Sequence, residues 1–458
     1  MNIPSLSDTG YRRELGAGLV LRWSAPSDVE ELVRLYGTVF RDKASDPINA
    51  RMGYWVRDLM SGQHPLCGPN DFAVVEDTER GMLVAATCLM SQTWNYDGVA
   101  VPVGRPEIVA TEEEYRNRGL IRAIFELIHA RSAAQGQMAI GITGIPYYYR
   151  QFGYEYALDL GGGRTLPFSA IPKLKEGESE AFLLREATRE DLPRALELYR
   201  REHERAAIST EIDPGYWQYV LEEMNVESGE GWRTQLIVDA QAEGQPVCGY
   251  VLHRHRRSGD TMIVLNLAVD AGVPLARVMP SVLRGLQTIG AGLRVWNETQ
   301  TPPPETSKIY FGLGREHPVY NLFDPTLTPA KPRPYSWYVR VPDVAGFIRH
   351  VAPVLERRLA ASVQDGYTGD LKITTYRGGL WLKFEQGRLT GAEPWQDTVL
   401  DSQAMAGFPP LVFLQLLFGH RSLEELRFAF ADIWVNDTAR TLLEALFPPR
   451  LARVLPLD

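Results

Sequence analysis

Cysteine is scarce in this 458-residue chain: Cys67, Cys88 and Cys248 are three widely separated residues with no C-x-x-C spacing. That excludes a disulfide framework and a cysteine zinc site, and leaves small core or near-surface thiols. Lysine is also rare, 7 against 41 arginines. The bias supplies planar two-pronged donors for phosphate or carboxylate, and genomic codon usage would produce it equally well. Long apolar runs are missing. The strongest, Leu411–Leu414 and then Leu416–Phe418 beyond Gln415, falls far short of the ~20 residues that span a bilayer. Residues 1–16 lack a basic-then-apolar leader pattern, so a cytoplasmic location is expected. G-x-S-x-G, H-E-x-x-H and G-x-x-x-x-G-K-[ST] do not occur, which removes lipase-like, zincin and P-loop readings. His253 and His255 alternate beside Arg254, Arg256 and Arg257 with no third ligand nearby; a surface strand is expected there, and no metal.

What is present is an ordinary globular composition, 45% apolar and 23% charged. At about 150 residues per domain, the length suggests roughly three domains. A net charge of −9 repels nucleic acid and favours cationic partners.

The chain repeats itself. Leu21–Tyr36, LRWSAPSDVEELVRLY, aligns without gaps on Leu184–Tyr199, LREATREDLPRALELY. The shared residues are Leu21/Leu184, Arg22/Arg185, Asp28/Asp191, Leu35/Leu198 and Tyr36/Tyr199. Each copy reads as a strand, a Ser/Thr turn and a helix opened by acidic residues. Glycines 161–163, Pro167, Pro172 and the polar run from Lys173 to Glu180 put a boundary near 175. The prolines at 325, 329, 332 and 334 put another near 335. Three units follow: 1–175, 176–334 and 335–458. The third reads as α+β. A helix starts at Asp343, a hairpin turns at Gly378–Gly379, Ser422 and Glu425 form a capping box, and Asp437 opens a last helix. The apolar tail Arg450–Asp458 is expected to pack back on the protein.

Chemistry concentrates in Glu107–Arg122, EIVATEEEYRNRGLIR. Ile108–Thr111 reads as a strand and the residues after Gly119 as a helix. Arg116-x-x-Gly119 lies at the junction, where exposed N–H groups and arginines make an anion site. A plain strand-to-helix turn with solvated arginines is the alternative. Downstream lie another strand, Met138–Thr143, and YYYRQFGY from Tyr147 to Tyr154. The series of strands, R-x-x-G, helix, strand and Y-x-x-F-G-Y resembles the GNAT superfamily of acetyl-CoA-dependent N-acetyltransferases. Within it, the match is closest to the enhanced intracellular survival (Eis) family. The resemblance covers nearly all of the chain. It implies a mixed α+β and α/β architecture: a catalytic GNAT domain, a degenerate second GNAT-like domain, and a sterol-carrier-protein-like domain.

The resemblance also assigns positions. Val109, Ala110 and Thr111 match the strand that contacts acetyl-CoA, the co-substrate, and Arg116, Asn117, Arg118, Gly119, Leu120, Ile121 and Arg122 match the pyrophosphate loop. Gly144 and Ile145 fall near the thioester, Tyr149 matches the general acid, and Asp458 would carry the terminal carboxylate that serves as base. The family type ends in an aromatic residue instead. Glu112–Glu114, three carboxylates before the loop, are expected to face solvent. A small cationic amine is the implied acceptor, and a homo-oligomer, a hexamer in the family, the implied assembly. The second unit has no R-x-x-G at its turn and is expected not to bind acetyl-CoA. Two rivals remain: a carrier of an apolar ligand built on the third domain, and an aminoacyltransferase using charged tRNA, which a −9 chain suits poorly.

Overall fold

The computed structural model describes residues 5–228, 230–296, 302–328, 334–397 and 402–457. Its N-terminal elements are β1 (Arg12–Gly16), β2 (Leu19–Trp23), α1 (Val29–Val39), α2 (Ala50–Met60), β3 (Phe72–Asp77), β4 (Met82–Tyr96), β5 (Val99–Thr111), α3 (Leu120–Ala134), β6 (Ala139–Ile142) and β7 (Glu155–Leu160). Strand alternation sends neighbouring side chains to opposite faces. Val74 joins the core under α1 and α2, while Val75 joins the core under α3. Helical spacing matches: α1 buries Leu32, Leu35 and Tyr36, and α3 buries Ile124, Leu127 and Ile128.

The first sheet runs β1-β2-β3-β4-β5-β6, then strand Tyr335–Arg340, then β7, with Ile208–Glu211 alongside β4 and Ala452–Arg453 alongside Ile208–Glu211. A second sheet has six strands: Arg164–Pro167, Lys308–Phe311, Thr261–Val269, Val247–Arg254, Trp232–Asp239 and Phe182–Glu186. A third, five-stranded sheet lies within 369–435. The chain is thus mixed α/β with several sheets. No helix among the described residues is long and apolar enough to cross a membrane.

The two repeat copies fold alike. Arg22 grips Asp28 with both terminal nitrogens, at 2.7 and 2.9 Å, and Arg185 grips Asp191 the same way, at 2.7 and 2.7 Å. In each copy the same carboxylate also accepts a backbone N–H three residues earlier, from Ala25 or Thr188. Tyr36 and Tyr199 are both buried.

Sheet membership crosses the sequence boundaries. Arg164–Pro167, upstream of 175, pairs with Lys308–Phe311 in the second sheet. Tyr335–Arg340, downstream of 335, pairs antiparallel with both β6 and β7. Backbone edges are satisfied wherever a strand fits, and proline and glycine mark only where the chain turns. His253, expected on a surface strand, is buried: Val247–Arg254 is flanked on both sides by strands. The helix expected from Asp343 is two, Val344–His350 and Ala352–Ala360, because Pro353 cannot donate to a continuing ladder. Asp437 opens the last helix, Asp437–Leu446, as expected, and Asn436 caps it by accepting from the Ala439 N–H.

The tail packs back as expected. Ala452–Arg453 pairs in parallel with Ile208–Ser209, the Leu455 carbonyl accepts from the Thr210 hydroxyl at 2.9 Å, and Leu457 is buried.

Candidate functional site

β5 and β6 are parallel neighbours at only two positions, Val103↔Ala139 and Gly104↔Ile140. Beyond them the strands part. β5 keeps its other edge on β4 as far as Ala85↔Thr111, with a bulge between Ala86 and Cys88. At that bulge Ile108 has φ +46°, a left-handed conformation that a β-branched side chain strongly disfavours. The Glu107 carboxylate holds it there, accepting from the Ile108 N–H at 2.9 Å, while the Glu107 carbonyl accepts from the Thr87 hydroxyl at 3.2 Å. Val109–Thr111 therefore presents one backbone edge to the gap between the strands. Thr111 Oγ1 is buried in that wall with no hydrogen-bond partner among the described residues.

A short turn follows, pinned by buried Tyr115, whose hydroxyl donates to Asp77 at 2.5 Å. Asn117 (φ +64°) and Gly119 (φ +76°) then reverse the chain into α3. Open space surrounds Gly119 on its side-chain face. The first N–H groups of this 15-residue helix have no partner within the helix and carry its positive end. The Arg116 side chain has no ion pair or hydrogen bond among the described residues, and it is exposed. Arg118 donates to the Glu114 carbonyl at 2.9 Å and lies 4.7 Å over the Tyr115 ring. Arg122 donates to Gln151 at 3.0 Å and lies 5.6 Å over Phe152.

The three carboxylates before the loop do not all face solvent. Glu112 is half-buried and bridged to Arg34 of α1 at 2.7 Å; Glu114 meets Arg80 at 2.9 Å, and Glu113 is exposed. The two cations neutralise charge that would otherwise repel an anion at the loop.

These elements enclose a cleft of about 750 Å³. Val109, Ala110, Thr111, Arg116, Asn117, Gly119, Leu120, Ile121, Arg122 and Ile145 line it, with Phe40 and Tyr148 also in the wall. Of the positions expected from sequence, Arg118, Gly144 and Tyr149 are not in that lining. Gly144, at φ +127°, faces Tyr149 instead. Tyr149 is buried against Phe125, Tyr148 and Tyr338, and its hydroxyl has no hydrogen-bond partner among the described residues. Burial, and then the nearby Glu107 charge, push its pKa well above the usual phenol range. Asp458 lies outside the described residues.

Four residues escaped the sequence reading. Tyr335 and Tyr338, on the inserted strand, donate to the carbonyls of Gly144 and Ile145 and so hold the loop after β6. Buried Arg105 and half-buried Glu107 form an ion pair on one face of β5. A signal for that pair exists, since opposite charges two apart on a strand whose neighbours are apolar share one face. No local signal exists for the tyrosines.

Residues 21–157 match the family model described as an acetyltransferase (GNAT) domain. Similar solved structures include a GCN5-related N-acetyltransferase from Anabaena variabilis ATCC 29413 (TM-score 0.65, 13% identity, covering 95% of this chain and 99% of that one). A GCN5-related N-acetyltransferase from Kribbella flavida is also similar (0.63, 18%, 96% and 99%), as is Eis1 from Mycobacterium abscessus (0.58, 15%, 96% and 99%). No curated protein matches. The N-terminal part of the chain thus carries a GNAT acetyltransferase domain, and the chain is an acetyltransferase through it.

Proposed function

We propose that the chain transfers the acetyl group of acetyl-CoA to a primary amine, on a small polycation such as an aminoglycoside or polyamine, or on a protein lysine. The observation that carries this reading is the cleft where the strand gap, the positive end of α3 and Arg116 converge. GNAT domains use acetyl-CoA, and the residues here suit it. The free edge of Val109–Thr111, with the orphaned Thr111 hydroxyl, offers partners to the amides of a pantetheine arm. The Gly119–Arg122 amides with Arg116 and Arg122 offer donors to a pyrophosphate.

An ammonium with a pKa near about 10.4 must lose a proton before it attacks a thioester carbonyl. The new C–N bond forms as a backbone N–H at the strand gap receives the oxyanion. The C–S bond then breaks, and Tyr149 gives its proton to the departing thiolate and regains one from solvent. A phenol at about 10 or higher giving to a thiol at about 8.5 runs uphill by about 2 kcal/mol or more, so donation is concerted with cleavage. Asp458 as the base that takes the amine proton belongs to the same proposal.

A second cleft of about 630 Å³ supports a cationic acceptor. Leu457, Gln92, Gln135 and Gln137 line it, with the carboxylates of Glu211 and Asp213, which outnumber the one cation in the wall, Arg200. Two GNAT-like units and a sterol-carrier-like third unit complete the reading, supported by the duplicated Arg–Asp clasp. The homo-oligomer implied by the resemblance belongs to the same proposal.

Thiol release from acetyl-CoA, measured across aminoglycosides, polyamines and a lysine peptide, tests this. Tyr149→Phe should lower kcat by about 10²-fold or more, and a chain lacking Asp458 should fall comparably. Turnover unaffected by Tyr149→Phe would remove the acid, and no turnover or acetyl-CoA binding at all would remove the reading.

A further inference from the structure

Arg105 is 2% exposed at the middle of β5. One of its terminal nitrogens donates to the carbonyl of Leu457 and the other to Glu107 Oε1. The guanidinium lies 5.5 Å over the Trp337 ring, on the strand inserted between β6 and β7. Gln92, on the neighbouring strand, also donates to the Leu457 carbonyl, at 3.2 Å. The second oxygen of Glu107 accepts from the N–H of Ile108, the strained residue of the bulge. A continuous chain of bonds therefore runs from the C-terminal tail through one buried cation to the bulge, and the bulge starts the strand gap.

We propose that Arg105 is a positioning residue that seats the tail and sets the β5 bulge as one unit, so that a docked tail is a condition for an organised transfer site. The physical basis is shared charge. A half-buried Glu107 carboxylate is favoured by a neighbouring cation, and a buried Arg105 requires more acceptors than Glu107 alone supplies. With the tail docked, the Leu457 carbonyl supplies one. Without it, the guanidinium loses an acceptor and its hold on Glu107 weakens. Ile108 is then free to leave its disfavoured conformation. The proposal rests on the acetyl-transfer reading for its consequence in activity, and not for the seat itself.

Hydrogen exchange and kinetics on Arg105→Met, Arg105→Lys, Gln92→Leu and a chain lacking residues 454–458 decide it. In Arg105→Met, exchange at the amides of residues 451–455 and 457 and of Ile108 should quicken together by about tenfold or more. Arg105→Lys keeps the charge but not the two-pronged reach, and should fall between wild type and Met. Gln92→Leu should act in the same direction and more weakly. Kcat should fall in Arg105→Met while the KM for acetyl-CoA changes by less than about threefold, and in the chain lacking 454–458 the Ile108 amide should quicken as it does in Arg105→Met. Undisturbed tail amides in a folded Arg105→Met protein would overturn the seat. Release of the tail with Ile108 unchanged would overturn the link to the bulge, and an Ile108 amide left protected in the truncated chain would do the same. If wild type acetylates nothing, the acetyl-transfer reading fails, while the exchange arms still decide the seat.

Discussion

The Tyr149 ring stands directly against Gly144: a Cβ on that glycine would lie 3.6 Å from Tyr149 Cε2 and 3.7 Å from its hydroxyl oxygen. The space would admit a methyl group; the backbone is what resists one. Gly144 has φ +127°, which side-chain-bearing residues rarely adopt. Gly144→Ala should cost about 1–3 kcal/mol of local strain, relieved by rotating the loop away from Tyr149. A lower melting temperature with kcat reduced more than KM is expected, and an unchanged kcat would separate this contact from the chemistry.

The arginines of the loop should not contribute equally. The Arg116 side chain is unengaged among the described residues, whereas that of Arg118 is held by the Glu114 carbonyl and the Tyr115 ring. Arg116→Gln should weaken acetyl-CoA binding by about tenfold or more, the worth of one charge-assisted hydrogen bond. Arg118→Gln should weaken it less. Calorimetry on the two variants checks the order.

Tyr149 should leave no mark on the alkaline side of the rate profile. Burial, then the Glu107 charge, raise its pKa, so the phenol stays protonated and able to donate until the pH passes that raised value. Its acid function is present below that pKa and lost above it. Kcat measured from pH 6 to about 9.5 should show no falling limb owing to this residue, since an unperturbed phenol already titrates only near 10. A limb below 9 that vanishes in Tyr149→Phe would contradict the assignment.

Acid should destabilise the protein partly through His203. Burial, against a restraining hydrogen bond to the Tyr199 carbonyl, lowers its pKa to about 4. The unfolded chain binds the proton near pH 6.5, so stability is full above that pH and is lost as pH falls toward 4. The loss approaches about 3 kcal/mol. His203→Gln should flatten the fall in melting temperature between pH 6.5 and 4, at some cost in stability at neutral pH.

Asp58 has the opposite sign. Burial raises its pKa to about 6, against one backbone hydrogen bond from Asn225. A raised carboxylate pKa means that ionisation costs stability at neutral pH and that the cost is relieved as pH drops below 6. Asp58→Asn should therefore stabilise by about 1 kcal/mol at pH 7.5, with allowance for partial solvation, and do little at pH 4. Thermal melts at the two values check it.

The sequence by itself determined what is local or periodic. Gly119 at the turn into α3, the Arg116–Arg122 cluster, the apolar strands on either side, and the repeat with its Arg22–Asp28 and Arg185–Asp191 clasps all depend on contacts within a few residues, and spacing carries them. Glu112 was misjudged because Arg34, its partner, lies on a helix 78 positions away. Only the tertiary structure decided that Tyr335–Arg340 fills the edge between β6 and β7, and that Arg105 meets a carbonyl 352 residues further along the chain. A strand edge accepts any extended segment that can pair with it, and a buried cation accepts any oxygen that the fold brings near. Which segment and which oxygen arrive is settled by how whole sheets pack, and no short stretch of sequence encodes that.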